Sequence, residues 1–238
     1  MSGVASPLLE TRRLEAFYGD FQALFGIDLT VAVGETVAII GANGAGKSTF
    51  LRAIVGLLKV ASRAVLLDGA PIGGLSTPEI VRLGVAMTPE GRRIFPSLTV
   101  EENLAIGAWA KRSQLKDALE RAYALFPVLR ERRKSPGTAL SGGQQQMVAI
   151  ARALASSPRL LLCDEISLGL APIVIEQVYA ALPAVKASGA SLVIVEQDIR
   201  RALAVADRVY CFQEGRVTLT GRAVELTHAQ IHEAYFGR

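Results

Sequence analysis

The chain has 238 residues, half of them hydrophobic, enough to bury one substantial core as a single large domain or as a domain carrying an insertion. Its 26 basic and 22 acidic side chains leave a net charge of +4, an excess too small and too scattered for a nucleic-acid binder but compatible with a phosphate-bearing ligand or an ordinary basic surface. No apolar run approaches the roughly 18–20 residues that cross a bilayer, and the opening MSGVASPLLETRR lacks the basic start and apolar core of a signal peptide.

Residues 8–33 carry short, partly alternating apolar segments separated by Gly19, Asp20 and Gly26, which predicts an antiparallel β region. Residues 36–40 read as a buried strand, 47–58 as a helix, and 64–67 and 85–87 as further strands. Three capping boxes mark helix starts: Ser76 with Glu79, Thr99 with Glu102, and Ser141 with Gln144. Residues 99–134 read as wholly helical, with 103–110 and 114–126 as the main pieces, so a helical insertion interrupts a βα chain. The basic run at 130–134 is a solvated exit from it, with a partner-facing surface as the alternative.

From Ser141 the pattern becomes regular: helix to 155, strand 160–163, helix 173–186, strand 192–195, helix 199–205 and strand 208–212. Such alternation implies an α/β fold with a mainly parallel sheet covered on both faces. Cys163 and Cys211 fall inside these apolar strands and read as buried reduced thiols, without the His–Cys spacing of a zinc site. A turn at 214–215 and a terminal helix near 224–236 close the chain, within which no internal repeat appears. A mean hydropathy of +0.33 hints at a hydrophobic partner surface, although aliphatic α/β cores raise this figure by themselves.

Three motifs carry chemistry. The first is GANGAGKST, from Gly41 through Asn43, Gly44, Ala45, Gly46, Lys47 and Ser48 to Thr49, a full match to the phosphate loop between a strand and a helix. Its glycines let backbone N–H groups wrap phosphates, and the helix N-terminus adds its dipole. Lys47 would hold the β- and γ-phosphates and Ser48 would ligate Mg²⁺. The second is LLLCDE, an apolar strand ending in Asp164, placed to bind Mg²⁺ through water, and Glu165, placed to orient or deprotonate the attacking water. The third is LSGGQ, in which Ser141 caps a helix, Gly142 and Gly143 leave its N-terminus unshielded, and Gln144 completes the box; a plain flexible helix start is the alternative.

LSGGQ placed between the phosphate loop and the Asp-Glu strand resembles the signature of ATP-binding-cassette (ABC) ATPases, and the resemblance extends from Leu8 to the tail. It implies a single nucleotide-binding domain over 1–238, with a helical subdomain at 99–134 inserted in a P-loop NTPase core. It also implies a head-to-tail dimer with a second ABC ATPase subunit, identical or paralogous. Ser141, Gly142, Gly143 and Gln144 would then contact the partner's ATP, and Tyr18 would stack on adenine unless it is a strand residue in the core.

The chain departs from the general family pattern at several positions. Glu90 stands where a metal-sensing glutamine is usual, Gln197 where a γ-phosphate-sensing histidine is expected, Ile166 where proline is common, and Ala171 where aspartate usually stands. A carboxylate at Glu90 can still accept from Mg²⁺-bound water, and the Gln197 amide can donate to a phosphate oxygen without a titratable proton.

Together PEGRR, SLGLAP and VEQ resemble the ATP-binding subunits of branched-chain amino-acid importers, with urea/amide importer ATPases as near relatives, although Ile166 does not fit the usual proline of that subgroup. The resemblance implies an ATPase at the cytoplasmic face of the inner membrane, bound peripherally to transmembrane permeases that a substrate-binding protein feeds. The segment 90–98 and the insertion would form the docking surface, with Phe95 and Pro96 contacting the permease or, alternatively, packing back on the insertion. ABC ATPases acting on nucleic acid or the ribosome usually carry a long coiled coil or a second cassette, and these residues show neither. A P-loop kinase or GTPase would leave LSGGQ without a purpose. The transported molecule is not written in these residues.

Overall fold

A computed structural model describes residues 6–237, so the first five residues of the stretch weighed as a signal peptide lie outside the described residues. The elements in chain order are β1 (Leu9–Tyr18), β2 (Phe21–Val31), β3 (Thr36–Ile40), α1 (Lys47–Ile54), β4 (Val65–Leu67), β5 (Ala70–Pro71), α2 (Thr77–Arg82) and β6 (Val85–Thr88). There follow α3 (Val100–Gly107), α4 (Leu115–Leu125), α5 (Pro127–Glu131), α6 (Gly142–Leu154), β7 (Leu160–Asp164) and α7 (Pro172–Ala187). The chain ends with β8 (Ser191–Glu196), α8 (Ile199–Val205), β9 (Arg208–Gln213), β10 (Arg216–Arg222) and α9 (His228–Phe236). These divide into two compact units, one running to Leu83 and resuming at Ser191, the other Gly84–Ala190.

In the first unit the predicted antiparallel region is a sheet in the order β2-β1-β4-β5. Tyr18 pairs with Phe21 across the two-residue Gly19-Asp20 turn, with Gly19 at φ 58° as such a turn requires. A bulge at Arg13 (φ 44°) shifts the register, and its N–H donates to Asp28 Oδ1 at 2.7 Å. The same unit holds β3 between parallel neighbours β8 and β9, with β10 antiparallel on β9. Val37, Ala38, Ile39 and Ile40 have no exposed surface, which is why this strand reads as an unbroken apolar run. Each Ile or Val so buried contributes about 1.5–3 kcal/mol. Helices α8 and α9 cover one face through Ala202 and Ile231. At the other end of β9 the Arg208 guanidinium makes a two-pronged bridge to Glu35 at 2.8 and 2.7 Å.

The second unit pairs β6 with β7 in parallel, packs α6 against β6, and also holds α3, α4, α5 and α7. Cys163 and Cys211 are free and buried, and burial pushes the Cys211 thiol above its ordinary pKa. All three expected capping boxes form, and a fourth joins Thr227 to Gln230.

Several boundaries differ from the sequence expectation. The helix expected over 47–58 stops at Ile54, because Gly56 turns left-handed (φ 74°) and Leu57 N–H closes on Arg52 O, a Schellman stop. The stretch 99–134 is broken twice. Lys111 leaves helical geometry (φ −137°), and Phe126 is extended because Pro127 crowds the residue before it. The strand expected from 64 begins at Val65, since Ala64 belongs to a 3-10 turn. The terminal helix starts at His228, where the Thr227 cap sits, and Val224 stays exposed. Strands β5 and β10 were not expected; β10 has both faces partly open to solvent and so carries little apolar periodicity. No helix of the described residues is long and apolar enough to cross a membrane.

Candidate nucleotide site

The phosphate loop leaves β3 and enters α1, as its sequence required. Its three glycines are needed for different reasons. Gly44 (φ 80°) has nothing within 4 Å of a Cβ, so only its left-handed backbone demands glycine. A Cβ on Gly41 would lie 2.3 Å from Phe212 O, and one on Gly46 2.8 Å from a Leu24 methyl. Those two are set by the close approach of neighbouring strands. Lys47 is buried, its ammonium donating to Gly41 O at 2.7 Å and Ala42 O at 3.0 Å, so the cation is fixed over the loop. Ser48 and Thr49 follow on the first turn of α1, with Ala45 buried beneath and Asn43 exposed.

Two further residues of the same unit stand beside this loop. Tyr18 is 41% exposed, so it is not a core residue; its hydroxyl lies 3.4 Å from Thr49 Oγ1 and accepts from Arg52 Nη1 at 3.2 Å. Those contacts hold the phenol end against α1 and leave much of the side chain open to solvent. Gln197, just past β8, donates from Nε2 to Asn43 Oδ1 at 2.8 Å, which ties it directly to the phosphate loop. Asp198 caps α8 by accepting from Arg200 N–H and Arg201 N–H.

In the second unit β7 delivers Asp164 at its C-terminal tip with 1% exposure, and Glu165 follows in a left-handed conformation (φ 48°). Such a backbone costs a non-glycine residue about 1–2 kcal/mol and is typical of functional turns. Leu168 N–H closes the turn on Glu165 O at 3.1 Å. Ile166 is buried in place of the usual proline. Among the described residues no group of three or more His, Cys, Asp and Glu side chains could hold a metal alone. The buried Asp164 carboxylate is nevertheless the kind of donor Mg²⁺ takes, an ion that uses few protein ligands and completes its shell with phosphates and water. Glu90, beyond β6, is exposed, and at the end of β6 the buried Thr88 hydroxyl has no hydrogen-bond partner.

The signature opens α6. Ser141 Oγ accepts from Gln144 N–H at 3.3 Å, and Gln144 Oε1 accepts from Ser141 N–H at 3.0 Å. The two glycines again differ. Gly143 is buried because the first turn of α7 covers it, a Cβ there lying 2.5 Å from Val174 Cγ1. Gly142 instead faces Arg92, whose guanidinium atoms would lie 2.9–3.1 Å from a Cβ. Arg92 also donates to Gln145 Oε1 at 3.3 Å, and Gln145 Nε2 donates to Gly137 O at 3.0 Å. Sequence reasoning passed over Arg92 and Gln145; the only signal was two arginines directly after Gly91.

The loop bearing Phe95 and Pro96 is tied by its backbone to the fully buried Asn103, which accepts from Phe95 N–H at 2.8 Å and donates to Phe95 O at 3.0 Å. The Phe95 ring remains 45% exposed beneath the Arg152 guanidinium, 5.5 Å from its centroid, and Pro96 is exposed. The run 130–134 is exposed throughout.

Comparison with known proteins gives a consistent result. Residues 24–167 match the family described as ABC transporter. The chain is 42% identical over 233 residues to the high-affinity branched-chain amino acid transport ATP-binding protein BraG of Pseudomonas aeruginosa, covering 97% of this chain and 100% of that protein. It is 36% identical over 221 residues to the probable branched-chain amino acid transport ATP-binding protein LivF of Archaeoglobus fulgidus, covering 92% and 94%. Among solved structures, a nucleotide-free ATP-binding cassette from an ABC transporter superposes with a TM-score of 0.84 at 27% identity, over 98% of this chain and all of that one. A dimeric cassette in a post-hydrolysis state, bound to ADP and phosphate, superposes with a TM-score of 0.78 at 27% identity, over 90% and 98%. With the phosphate loop, the Asp-Glu strand and the signature in this order on this fold, the chain belongs to the ABC transporter family of ATP-binding cassettes.

Proposed function

We propose that this chain is the ATP-hydrolysing subunit that energises a membrane importer of branched-chain amino acids, acting from the cytoplasmic face as one of two cassettes. The observation that carries the substrate class is the end-to-end match to BraG, joined by the segments PEGRR, SLGLAP and VEQ. In this reading Lys47 holds the β- and γ-phosphates, Tyr18 stacks on adenine, and Ser48 and Asp164 hold Mg²⁺, with Glu90 accepting from a water of its shell. A base–aromatic stack of this kind is worth about 1–3 kcal/mol. Mg²⁺ supplies neutralisation of charge on the phosphate oxygens.

Glu165 orients a water and takes its proton while the water oxygen bonds to the γ-phosphorus. The bond from that phosphorus to the bridging oxygen breaks, and ADP and inorganic phosphate leave. A base so placed contributes about 10²–10⁴ in rate. Gln197 donates an amide hydrogen to a γ-phosphate oxygen. Ser141, Gly142, Gly143 and Gln144 meet the ATP held by the facing cassette, so closure of the pair depends on ATP. Phe95 and Pro96 pass that closure to a permease, which a binding protein loads from outside.

Uptake of labelled leucine, isoleucine and valine in cells lacking this chain tests the substrate class. Loss of that uptake, restored by the native chain but not by Lys47→Ala, is the expected result. Unchanged uptake of all three, with uptake of urea or short amides lost, would assign the chain to the neighbouring importer class.

A further inference from the structure

Arg92 is a cation with nothing in the described structure to neutralise it, set where the signature must meet phosphate. Its guanidinium lies against Gly142, the first residue of α6, its atoms 2.9–3.1 Å from where a Cβ would stand. No carboxylate of the described residues lies in ion-pair range of Arg92, and its one hydrogen bond there is to the neutral Gln145 amide at 3.3 Å. A guanidinium has five N–H donors, so most of its capacity is not spent on the protein. A positive charge beside the positive end of a helix is unfavourable by itself and becomes favourable when an anion joins both.

The backbone fixes this placement. Gly91, Arg92 and Arg93 are successive left-handed residues with φ of 77°, 66° and 49°, and Arg93 N–H closes on Gly91 O at 2.7 Å. Two of the three have side chains that disfavour that region. The turn directs Arg92 back onto α6, while Arg93 is exposed.

We infer that Arg92 is a substrate-contacting residue of the signature: its guanidinium binds the terminal phosphate of the ATP held by the facing cassette. The inference rests on the proposed closure of two cassettes over nucleotide, and it deepens that reading by adding a residue outside the LSGGQ motif. Forked guanidinium donors match the oxygens of a terminal phosphate, so the contact favours ATP over ADP and makes closure depend on the γ-phosphate. Gly142, having no side chain, leaves room for Arg92 to lie on the first turn of α6.

The test uses the full chain carrying Glu165→Gln, whose Mg-ATP-dependent dimerisation is measured by sedimentation, with Arg92→Ala, Arg92→Lys or Gln145→Ala added. Thermal midpoints report that each variant is folded. The expected result is a dimer dissociation constant raised about tenfold or more by Arg92→Ala, partly recovered by Arg92→Lys, and raised less by Gln145→Ala. An Arg92→Ala dimer as tight as its parent overturns the inference. So does equal weakening by Arg92→Ala and Gln145→Ala without recovery by lysine, which would make Arg92 only a brace between loop and helix. If the Glu165→Gln parent itself does not dimerise with ATP, the two-copy closure beneath the inference fails first.

Discussion

In the proposed function Lys47 carries the most direct chemistry of any side chain in the first unit. It is buried, held by two loop carbonyls, and a charge-assisted hydrogen bond of that kind to phosphate is worth about 1.5–3 kcal/mol. Lys47→Ala should therefore weaken ATP binding about tenfold or more, read from displacement of a fluorescent nucleotide, and unchanged affinity would contradict the phosphate-loop assignment. Gln197 is bonded to Asn43 of the same loop and has no proton to exchange, so Gln197→Ala should lower steady-state turnover less than Glu165→Gln does. At this scale the sequence was most informative where spacing alone defines geometry, as in the run Gly41–Thr49. It was silent where a residue matters through a contact distant in the chain. Nothing in the sequence tied Arg92 to Gly142, fifty residues on, or showed that Gly41 must clear Phe212 O.

At the scale of elements, the second unit depends on how closely α3 approaches α6. A Cβ on Gly107 would sit 2.0 Å from Arg152 O, so the last residue of α3 has to be glycine for the two helices to meet. Overpacking of this sort costs about 1–3 kcal/mol or more, and each kcal/mol lowers the midpoint of a domain this size by about 2–4 °C. Gly107→Ala is expected to melt several degrees below the parent in calorimetry; coincident melting would show that α3 can move without loss.

The start of α3 makes a pH prediction. The Thr99 N–H and hydroxyl hold the Glu102 carboxyl below the usual glutamate range. A depressed folded pKa contributes stability that is complete above the ordinary glutamate value and is lost as pH falls through the lowered one. The stability gap between the native chain and Glu102→Gln should thus close on acidification, and a gap independent of pH in that window would remove the box from the account. Capping boxes were legible because their chemistry is local. The breaks at Lys111 and Phe126 were not, since amphipathic spacing continues on both sides of each. β10 stayed hidden because neither of its faces is fully buried.

Across the full chain, the residues given a role in the proposed function fall in both units: the phosphate loop, Tyr18 and Gln197 in one, Asp164, Glu165, Glu90 and the signature in the other. In the proposed reaction Glu165 supplies the base for water attack on the γ-phosphate, without help from a histidine after β8. Glu165→Gln keeps the side chain's size and polarity and removes its basicity, so one measurement separates binding from chemistry. Steady-state phosphate release should fall about a hundredfold or more while nucleotide affinity stays within a few-fold of the native chain. Near-normal turnover by Glu165→Gln would contradict the account.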